Sequence, residues 1–204
     1  MRRLLFALVL AAALWTLMFS PLTAPHVDFW WTMTGSALLL SVLASLFRPG
    51  WWRGLRWTPA QIVAGAGVAV ALWAVFWTGD KVAAWLFDFA QPQVAAIYGM
   101  KDGAPAWRLT LQLLLLIGPA EEIFWRGYVQ RTLSDRWGAD RGYLAATLLY
   151  AAVHVGALNF MLFMAALVCG IVWGGLYRFF PRWFLAIILS HALWDVAVFV
   201  WFPI

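Results

Sequence analysis

Residues 111–126 read LQLLLLIGPAEEIFWR, an apolar run that ends in two adjacent glutamates and, soon after them, an arginine. Ionised side chains are costly at the depth of a lipid bilayer, so they face the interior of a helix bundle or a wet cavity and have partners there. The pair Glu121 and Glu122 is therefore a candidate functional site.

The spacing of these residues predicts different roles for the two glutamates. On a helix, Glu122 and Arg126 stand at positions i and i+4 on one face, in the acid-before-base order that favours an ion pair. Glu121 lies off that face, beside Trp125. Arg126 can therefore hold Glu122 and leave Glu121 free for chemistry.

The glycine and proline before the glutamates are expected to break or kink the helix. Pro119 has no N–H group and its ring clashes with the preceding turn. Glu121 would then lie in the first turn of the next helical segment, where exposed N–H groups favour an ionised carboxylate. Such a carboxylate suits a general base.

The composition indicates the class of protein. Hydrophobic residues make up 65% of the 204 residues and charged residues 11%, whereas charged residues make up about 25% of a soluble domain. The sequence therefore predicts a polytopic membrane protein, an all-α helix bundle that forms one integral-membrane domain over residues 1–204. The single cysteine, Cys169, lies in an apolar run, which excludes a disulfide framework and indicates packing. Many tryptophans lie near predicted helix ends, as in aromatic belts: Trp30, Trp31, Trp51, Trp52, Trp57, Trp183 and Trp201.

Seven transmembrane spans are predicted from the apolar runs. Arg2 and Arg3 before the first run also fit a signal peptide, but the length of that run favours an uncleaved span. The spans lie at about Leu4–Phe19, Phe29–Phe47, Pro59–Thr78, Trp107–Leu133, Gly142–Val155, Asn159–Phe179 and Trp183–Phe202.

The segments between the spans are polar or irregular. Residues 48–57 are a basic and aromatic interfacial turn. Residues 82–89 fit either an amphipathic interfacial helix or an extension of the third span, and Pro92, Gly99 and residues 101–103 indicate a loop. The link from the fourth to the fifth span is charged and contains Arg131, Asp135, Arg136, Asp140 and Arg141.

The distribution of basic residues predicts the orientation of the chain. With the N terminus inside and the C terminus outside, only Lys81, Lys101 and Arg108 of the 14 basic residues fall on the outer side. This bias also explains the net charge of +5 without a nucleic-acid partner. The residues assigned to the inside are Arg2, Arg3, Arg48, Arg53, Arg56, Arg126, Arg131, Arg136, Arg141, Arg178 and Arg182.

Two histidines share the apolar context of the glutamates. His154 ends the segment Tyr150–His154, and His191 stands at i and i+4 with Asp195, which could orient the imidazole or share its proton. The third histidine, His26, falls in a predicted loop. The carboxylate pair, His154 and the His191–Asp195 pair lie on separate spans, and a bundle that brought them together would form a buried acid–base site.

These motifs, in this order and at these spacings, resemble a known family. Glu121-Glu122-x-x-x-Arg126, Tyr150-x-x-x-His154 and His191-x-x-x-Asp195 look like the EExxxR, FxxxH and HxxxN/D motifs of the CPBP family. These are the type II CAAX-prenyl endopeptidases and their bacterial relatives, also called the Abi family. The resemblance covers roughly residues 111–202, so residues 107–204 are expected to form the catalytic core and residues 1–106 a set of variable N-terminal spans.

The resemblance implies a glutamate-dependent intramembrane endopeptidase with an all-helical core, a cavity open toward one leaflet and no metal or other cofactor. By position, Glu121 matches the catalytic glutamate and His154 the histidine that helps it to activate water. His191 and Asp195 match the pair assigned to stabilising the oxyanion. Glu122 and Arg126 would hold the helix and the charge balance. The implied partners are the lipid bilayer and a membrane-anchored protein or peptide substrate.

Two positions depart from the family pattern. Tyr150 replaces the usual Phe and adds a hydroxyl that needs a partner. Asp195 stands where the prenyl-protein enzymes carry Asn, and an ionised carboxylate cannot donate to an oxyanion. The short chain resembles the bacterial branch more closely, which implies a bacterial inner membrane.

Three other readings of the same residues remain open at this point. Glu121, His154 and His191 could ligate zinc, since His and carboxylate sets are typical of catalytic zinc, although no HExxH motif is present. Intramembrane Glu, His and Asp also line the paths of transporters and proton relays. Finally, the Glu122–Arg126 pair could serve packing alone in a structural or immunity protein.

Overall fold

The computed structural model describes residues 1–204 apart from the surroundings of Gly54, and over the described residues the chain is helical without a β-strand. The all-α class predicted from composition is therefore confirmed. Short 3₁₀ turns connect several of the helices. The helices are α1 (Arg2–Phe19), α2 (Phe29–Phe47), α3 (Pro59–Leu86), α4 (Ala90–Gly99), α5 (106–137), α6 (Ala139–Ala152), α7 (Phe160–Phe179) and α8 (Phe184–Val196), which continues as a π-helical turn over Ala197–Trp201.

Side-chain caps explain where several helices begin. The Asp28 side chain accepts a hydrogen bond from the Trp31 N–H at 3.0 Å, one of the groups that lacks a partner at the start of α2. Thr58 caps α3 in the same way, with a proline at the first helical position. Asn159 accepts from the Leu162 N–H at 2.9 Å and starts α7. The predicted starts of the second, third and sixth spans are thus correct to within one residue.

Five helical segments of the described chain are long and apolar enough to cross a membrane. The number of spans, seven, and the N-inside orientation stay predictions. Three charged residues of α5, Glu121, Glu122 and Arg126, lie near its middle, and α6, at 14 residues, is shorter than the about 20 residues that a spanning helix needs. The long apolar helices lie at Arg2–Phe19, Phe29–Phe47, Pro59–Leu86, Phe160–Phe179 and Pro181–Trp201.

Residues 79–106 differ from the prediction. Of the two alternatives for residues 82–89, the extension of the third span is correct up to Leu86, where α3 ends. The predicted loop is wrong at Pro92 and Gly99, which belong to α4, and correct at residues 101–103, which form a turn. Pro92 is tolerated there because it lies in the first turn, whose N–H groups have no partner within the helix.

Helix α5 is continuous, so of the predicted break or kink at Gly118–Pro119, the break is wrong. Its turns widen to π-helical geometry over Gln112–Ile117 and again over Ile123–Gln130, on either side of the glutamates. The Gly118 N–H donates to the Leu113 carbonyl, an i to i−5 bond. Wide turns are one way to accommodate a residue without an N–H group. Glu121 is therefore embedded within a long helix, and the expected free N terminus beneath it is not formed.

The charged link before the fifth span is mostly helical as well. Arg131–Trp137 is the last segment of α5, and α6 follows directly after Gly138, whose φ of 84° permits the reversal. Helix α6 ends at Ala152, so His154 lies in the turn beyond it and not within the span predicted to end at Val155. Arg126, which was counted with the inside residues, is buried in the bundle, 2% exposed.

Two glycines allow the helices that carry the motifs to approach closely. A β-carbon added at Gly118 on α5 would lie 2.7 Å from Cα of Ala192 on α8, so backbone contacts backbone at this crossing. Similarly, a β-carbon added at Gly156 would lie 2.6 Å from Oγ1 of Thr16 on α1. The first contact places the glutamates beside His191, and the second places the turn after α6 against the first helix.

The crossing at Gly118 makes a direct prediction about stability. Gly118→Ala is expected to lower the free energy of unfolding by about 1–3 kcal/mol, because the new methyl group forces α5 and α8 apart. Gly67→Ala is the matched control, since a β-carbon there has nothing within 4 Å. Unfolding of both variants in detergent can be followed by circular dichroism. Equal stability of the two variants would contradict the close crossing.

Candidate active site

The polar residues singled out from the sequence meet in one cavity. Glu121 from α5, Tyr150 from α6, His154 from the following turn, and His191 and Asp195 from α8 all line a cavity of about 410 Å³. The convergence that the three motifs predicted is therefore present in the fold. The rest of the wall is mainly apolar and aromatic, with contributions from Phe19, Trp30, Phe76, Phe87, Phe160, Met164, Trp194 and Phe199.

Glu122 lies behind the cavity wall and joins two helices. Its Oε1 accepts hydrogen bonds from Nη1 of Arg126 at 2.9 Å and from Nδ1 of His191 at 2.6 Å. The i, i+4 pair with Arg126 is the one predicted from spacing, whereas the contact with His191 on α8 was not predicted. Glu122 is fully buried, at 0% exposure. It therefore fixes both a cation on its own helix and an imidazole on the neighbouring one.

Aromatic rings enclose this charged group. The ring of Trp173 on α7 stacks on that of His191 with centroids 3.8 Å apart and an interplanar angle of 17°. The Arg126 guanidinium lies over the rings of Tyr150 and Trp173, at 4.8 and 5.7 Å from their centroids. Cation–π contacts of this kind stabilise a buried guanidinium that carries few hydrogen bonds. The rings of Trp173 and Tyr150 therefore help to fix the positions of His191 and Arg126 around Glu122.

Glu121 has a different environment from its neighbour. The Tyr150 hydroxyl donates to its Oε2 at 3.2 Å, so the tyrosine that replaces the family's phenylalanine finds its partner here. Among the described residues, no group donates a hydrogen bond to its other oxygen, Oε1. Glu121 also lines the cavity, unlike Glu122. One oxygen of Glu121 is thus fixed and the other is free to bind a water molecule.

His154 is held through both of its ring nitrogens. Nδ1 lies 2.8 Å from the Tyr150 carbonyl oxygen, to which it can only donate. Nε2 then carries the lone pair and accepts a hydrogen bond from Nε1–H of Trp15 at 3.1 Å. These contacts define the Nδ1-protonated, neutral tautomer. The tryptophan belongs to α1, so the first span also contributes to the site.

The His191–Asp195 pair is looser than the spacing suggested. Nε2 of His191 lies 3.5 Å from Oδ2 of Asp195, beyond the usual hydrogen-bond distance, while its Nδ1 is close to Glu122. Glu122, not Asp195, is therefore the main partner of this histidine. Nε2 is left facing Asp195 and the cavity.

The same geometry bears on metal binding. In the part of the chain that the structure describes, no group of three or more His, Cys, Asp or Glu side chains is arranged to hold a metal ion. The Nε2 lone pair of His154 is taken by Trp15, and Nδ1 of His191 is bound to Glu122. The set of Glu121, His154 and His191 considered from the sequence therefore does not have the arrangement of a zinc site.

Comparison with known proteins gives a family match. A family model described as type II CAAX prenyl endopeptidase Rce1-like matches residues 103–197. This part of the chain, nearly half of it, is therefore similar to the CPBP family. The match contains every residue of the three CPBP motifs and leaves out α1 to α4. No curated protein and no solved structure matches the chain. The match implies membrane endopeptidase activity, and together with the long apolar helices it supports a multi-pass membrane protein.

Two residues of this candidate site were missed in the sequence. Trp173 lies in the middle of a predicted span, away from the interfaces where tryptophan is usual, and this position could have indicated an internal contact. Trp15 lies near a predicted span end and gave no such signal. Both residues are 1% exposed or less.

Proposed function

We propose that the protein is a glutamic-type intramembrane endopeptidase in which Glu121 is the general base. The observation that carries this proposal is the contrast between the two glutamates. Glu122 is occupied by Arg126 and His191 away from the cavity, whereas Glu121 faces the cavity with one oxygen fixed by Tyr150 and the other free. A base must reach its water directly, and only Glu121 of the pair meets that requirement.

Hydrolysis then proceeds in two steps without a covalent intermediate. In the first step, Oε1 of Glu121 takes a proton from a water molecule, the hydroxide adds to the peptide carbonyl carbon, and the carbonyl oxygen becomes an oxyanion. In the second step, the carbonyl re-forms as the carbon–nitrogen bond breaks, and the departing amine takes the proton from Glu121. The general base becomes the general acid, so all protons are returned.

His191 is the donor that supports the oxyanion. With Nδ1–H bound to Glu122, a doubly protonated His191 presents Nε2–H toward the cavity, where charge develops on the substrate oxygen. Glu122 favours this charged form because its carboxylate lies at 2.6 Å, and Trp173 fixes the plane of the ring. In this role Asp195 orients His191 and balances its charge and need not contact the oxyanion.

The cavity wall indicates the substrate class. An apolar, largely aromatic wall fits an apolar peptide segment, and its volume of about 410 Å³ is enough for a few side chains beside the scissile bond. A membrane-anchored protein or peptide meets this description. We also propose that the enzyme lies in a bacterial inner membrane, as the resemblance to the bacterial branch of the family implies.

The test compares the membrane proteomes of cells that carry wild-type protein with those of cells that carry Glu121→Gln. An uncleaved membrane protein is expected to accumulate with the variant, and its cut end is expected only with wild type. The cut position then identifies the substrate. A stably expressed variant that leaves every membrane protein unchanged would overturn catalysis by Glu121.

The proposed role of Asp195 predicts that its substitution by Asn has only a small effect on the rate of cleavage. Asp195→Asn is expected to lower kcat by less than about tenfold, because the contact with His191 is long and the main partner, Glu122, is retained. A quenched fluorescent peptide built on the cut site measures the rate. Complete loss of activity in a folded Asp195→Asn protein would show that Asp195 acts directly on the substrate.

A further inference from the structure

The contact between Trp15 and His154 joins the first helix to a residue of the candidate active site. Trp15 is almost fully buried, at 1% exposure, and lies on α1, outside the residues that match the family. Its indole N–H donates to Nε2 of His154 at 3.1 Å, and the two rings meet edge to face. Buried indole N–H groups usually find a hydrogen-bond partner, and here the partner is a residue of the candidate active-site cavity.

The backbone around this contact allows the turn after α6 to approach α1 closely. Gly156 brings the turn after α6 so close to α1 that a β-carbon would lie 2.6 Å from the Thr16 side chain, next to Trp15. Phe19, one turn further along α1, lies 5.8 Å from the His154 ring between centroids. The Tyr150 carbonyl holds the opposite side of the imidazole. The ring is therefore fixed in position, tilt and tautomer by two helices.

Resting on the proposed function, we infer that Trp15 is a positioning residue of the active site that acts through His154. Its N–H group holds the Nε2 lone pair, so His154 stays in the Nδ1-protonated form and keeps its place beside Tyr150. Tyr150 in turn fixes Oε2 of Glu121 at 3.2 Å. The first span thus completes the catalytic core, and residues 107–204 alone lack one contact of the site.

This arrangement also limits what His154 does in catalysis. While Trp15 occupies Nε2, the imidazole has no lone pair with which to accept a proton from water. Of Glu121 and His154, only Glu121 is then free to take a proton from water, and His154 acts by holding the residues around it in place.

The first test is chemical and needs no substrate. Diethyl pyrocarbonate reacts with the unprotonated nitrogen of imidazole, which in His154 is the Nε2 that Trp15 covers. In full-length Trp15→Phe protein, His154 is expected to be modified about tenfold faster than in wild type, the effect of one lost hydrogen bond. Peptide mass spectrometry reads each histidine separately. His191 and the exposed His26 are the internal references and should react at unchanged rates.

Two further variants distinguish the loss of the Trp15–His154 contact from a general loosening of the fold. Trp51→Phe is the matched control, because it removes an indole hydrogen bond of 2.8 Å, to Ser45, outside the cavity lining. Gly156→Ala keeps both side chains but pushes the turn away from α1, and it should also speed the modification of His154. If His154 reacts at the wild-type rate in both Trp15→Phe and Gly156→Ala, the inference is wrong. A faster reaction of all three histidines would likewise overturn it, since it reports general loosening.

The second test is a double-mutant cycle on cleavage of the cut-site peptide. Trp15→Phe is expected to lower kcat about tenfold with little change in KM, and to have no further effect in a His154→Ala background. Equal losses in both backgrounds would show that Trp15 does not act through His154. A different result tests the proposed function: it is wrong if wild type and Glu121→Gln cleave the peptide at the same rate. In that case the modification rate of His154 still decides whether Trp15 holds this histidine in place.

Discussion

Purified Glu121→Gln protein is expected to cleave the cut-site peptide about 10³-fold more slowly than wild type, the loss typical of a removed general base. Glutamine keeps the size of the side chain and can still accept the Tyr150 hydroxyl through its carbonyl oxygen. Because that hydrogen bond is the main polar contact of Glu121, the fold should be unaffected. The variant should therefore unfold at the same temperature as wild type while losing its activity.

Controls separate this loss from other causes. Asp140→Asn also converts a carboxylate to an amide, but Asp140 lies at the surface in an ion pair with Arg178, and its side chain is 78% exposed. This variant should retain full activity. Chelators should leave wild-type activity unchanged if Glu121 acts without a metal. A folded Glu121→Gln protein with more than about a tenth of the wild-type kcat would rule out Glu121 as the base, because even a weak general base contributes more than that.

Much of this site could be predicted because its signals are local. The i, i+4 spacing of Glu122 and Arg126 favours an ion pair wherever the helix is placed, and the structure contains this ion pair. The capping side chains of Asp28, Thr58 and Asn159 mark helix starts through contacts three residues away. Such features depend on the sequence within one turn and not on the rest of the fold.

What could not be predicted depends on how helices cross. The contact between Glu122 and His191 spans 69 residues, and it exists because Gly118 lets α5 approach the backbone of α8. Composition and periodicity do not specify that crossing. The same is true of Trp15, which is 139 residues from His154. The π-helical turns were missed because proline was expected to break the helix, whereas buried neighbours keep α5 intact around it.

The two adjacent glutamates show how one helix serves two purposes. Successive residues point in directions about 100° apart, so Glu121 faces the cavity while Glu122 faces the junction of α5 and α8. One carboxylate is kept accessible, and the other satisfies Arg126 and His191 in a place without solvent. The stability of the core and, in the proposed mechanism, the charge of the oxyanion donor His191 therefore both depend on Glu122.

Glu122→Gln is accordingly expected to be the most destabilising single change in the site, lowering the free energy of unfolding by about 3–5 kcal/mol. Removing the carboxylate leaves the Arg126 guanidinium, itself 2% exposed, buried without its counter-charge. It also removes the charged partner at 2.6 Å from His191. Titration of the purified protein with denaturing detergent measures the loss, with Glu121→Gln as the matched variant that should unfold like wild type.

A second substitution distinguishes lost pairing from a merely disturbed helix. Because a buried charge without a partner is what costs stability, removing the cation as well should restore part of the loss, so Glu122→Gln/Arg126→Met should be more stable than Glu122→Gln alone. Activity should not return with stability, since His191 still lacks the carboxylate that favours its charged, oxyanion-binding form. If the two substitutions simply add, Arg126 and Glu122 do not depend on each other, and the ion pair is not what holds this end of the active site together.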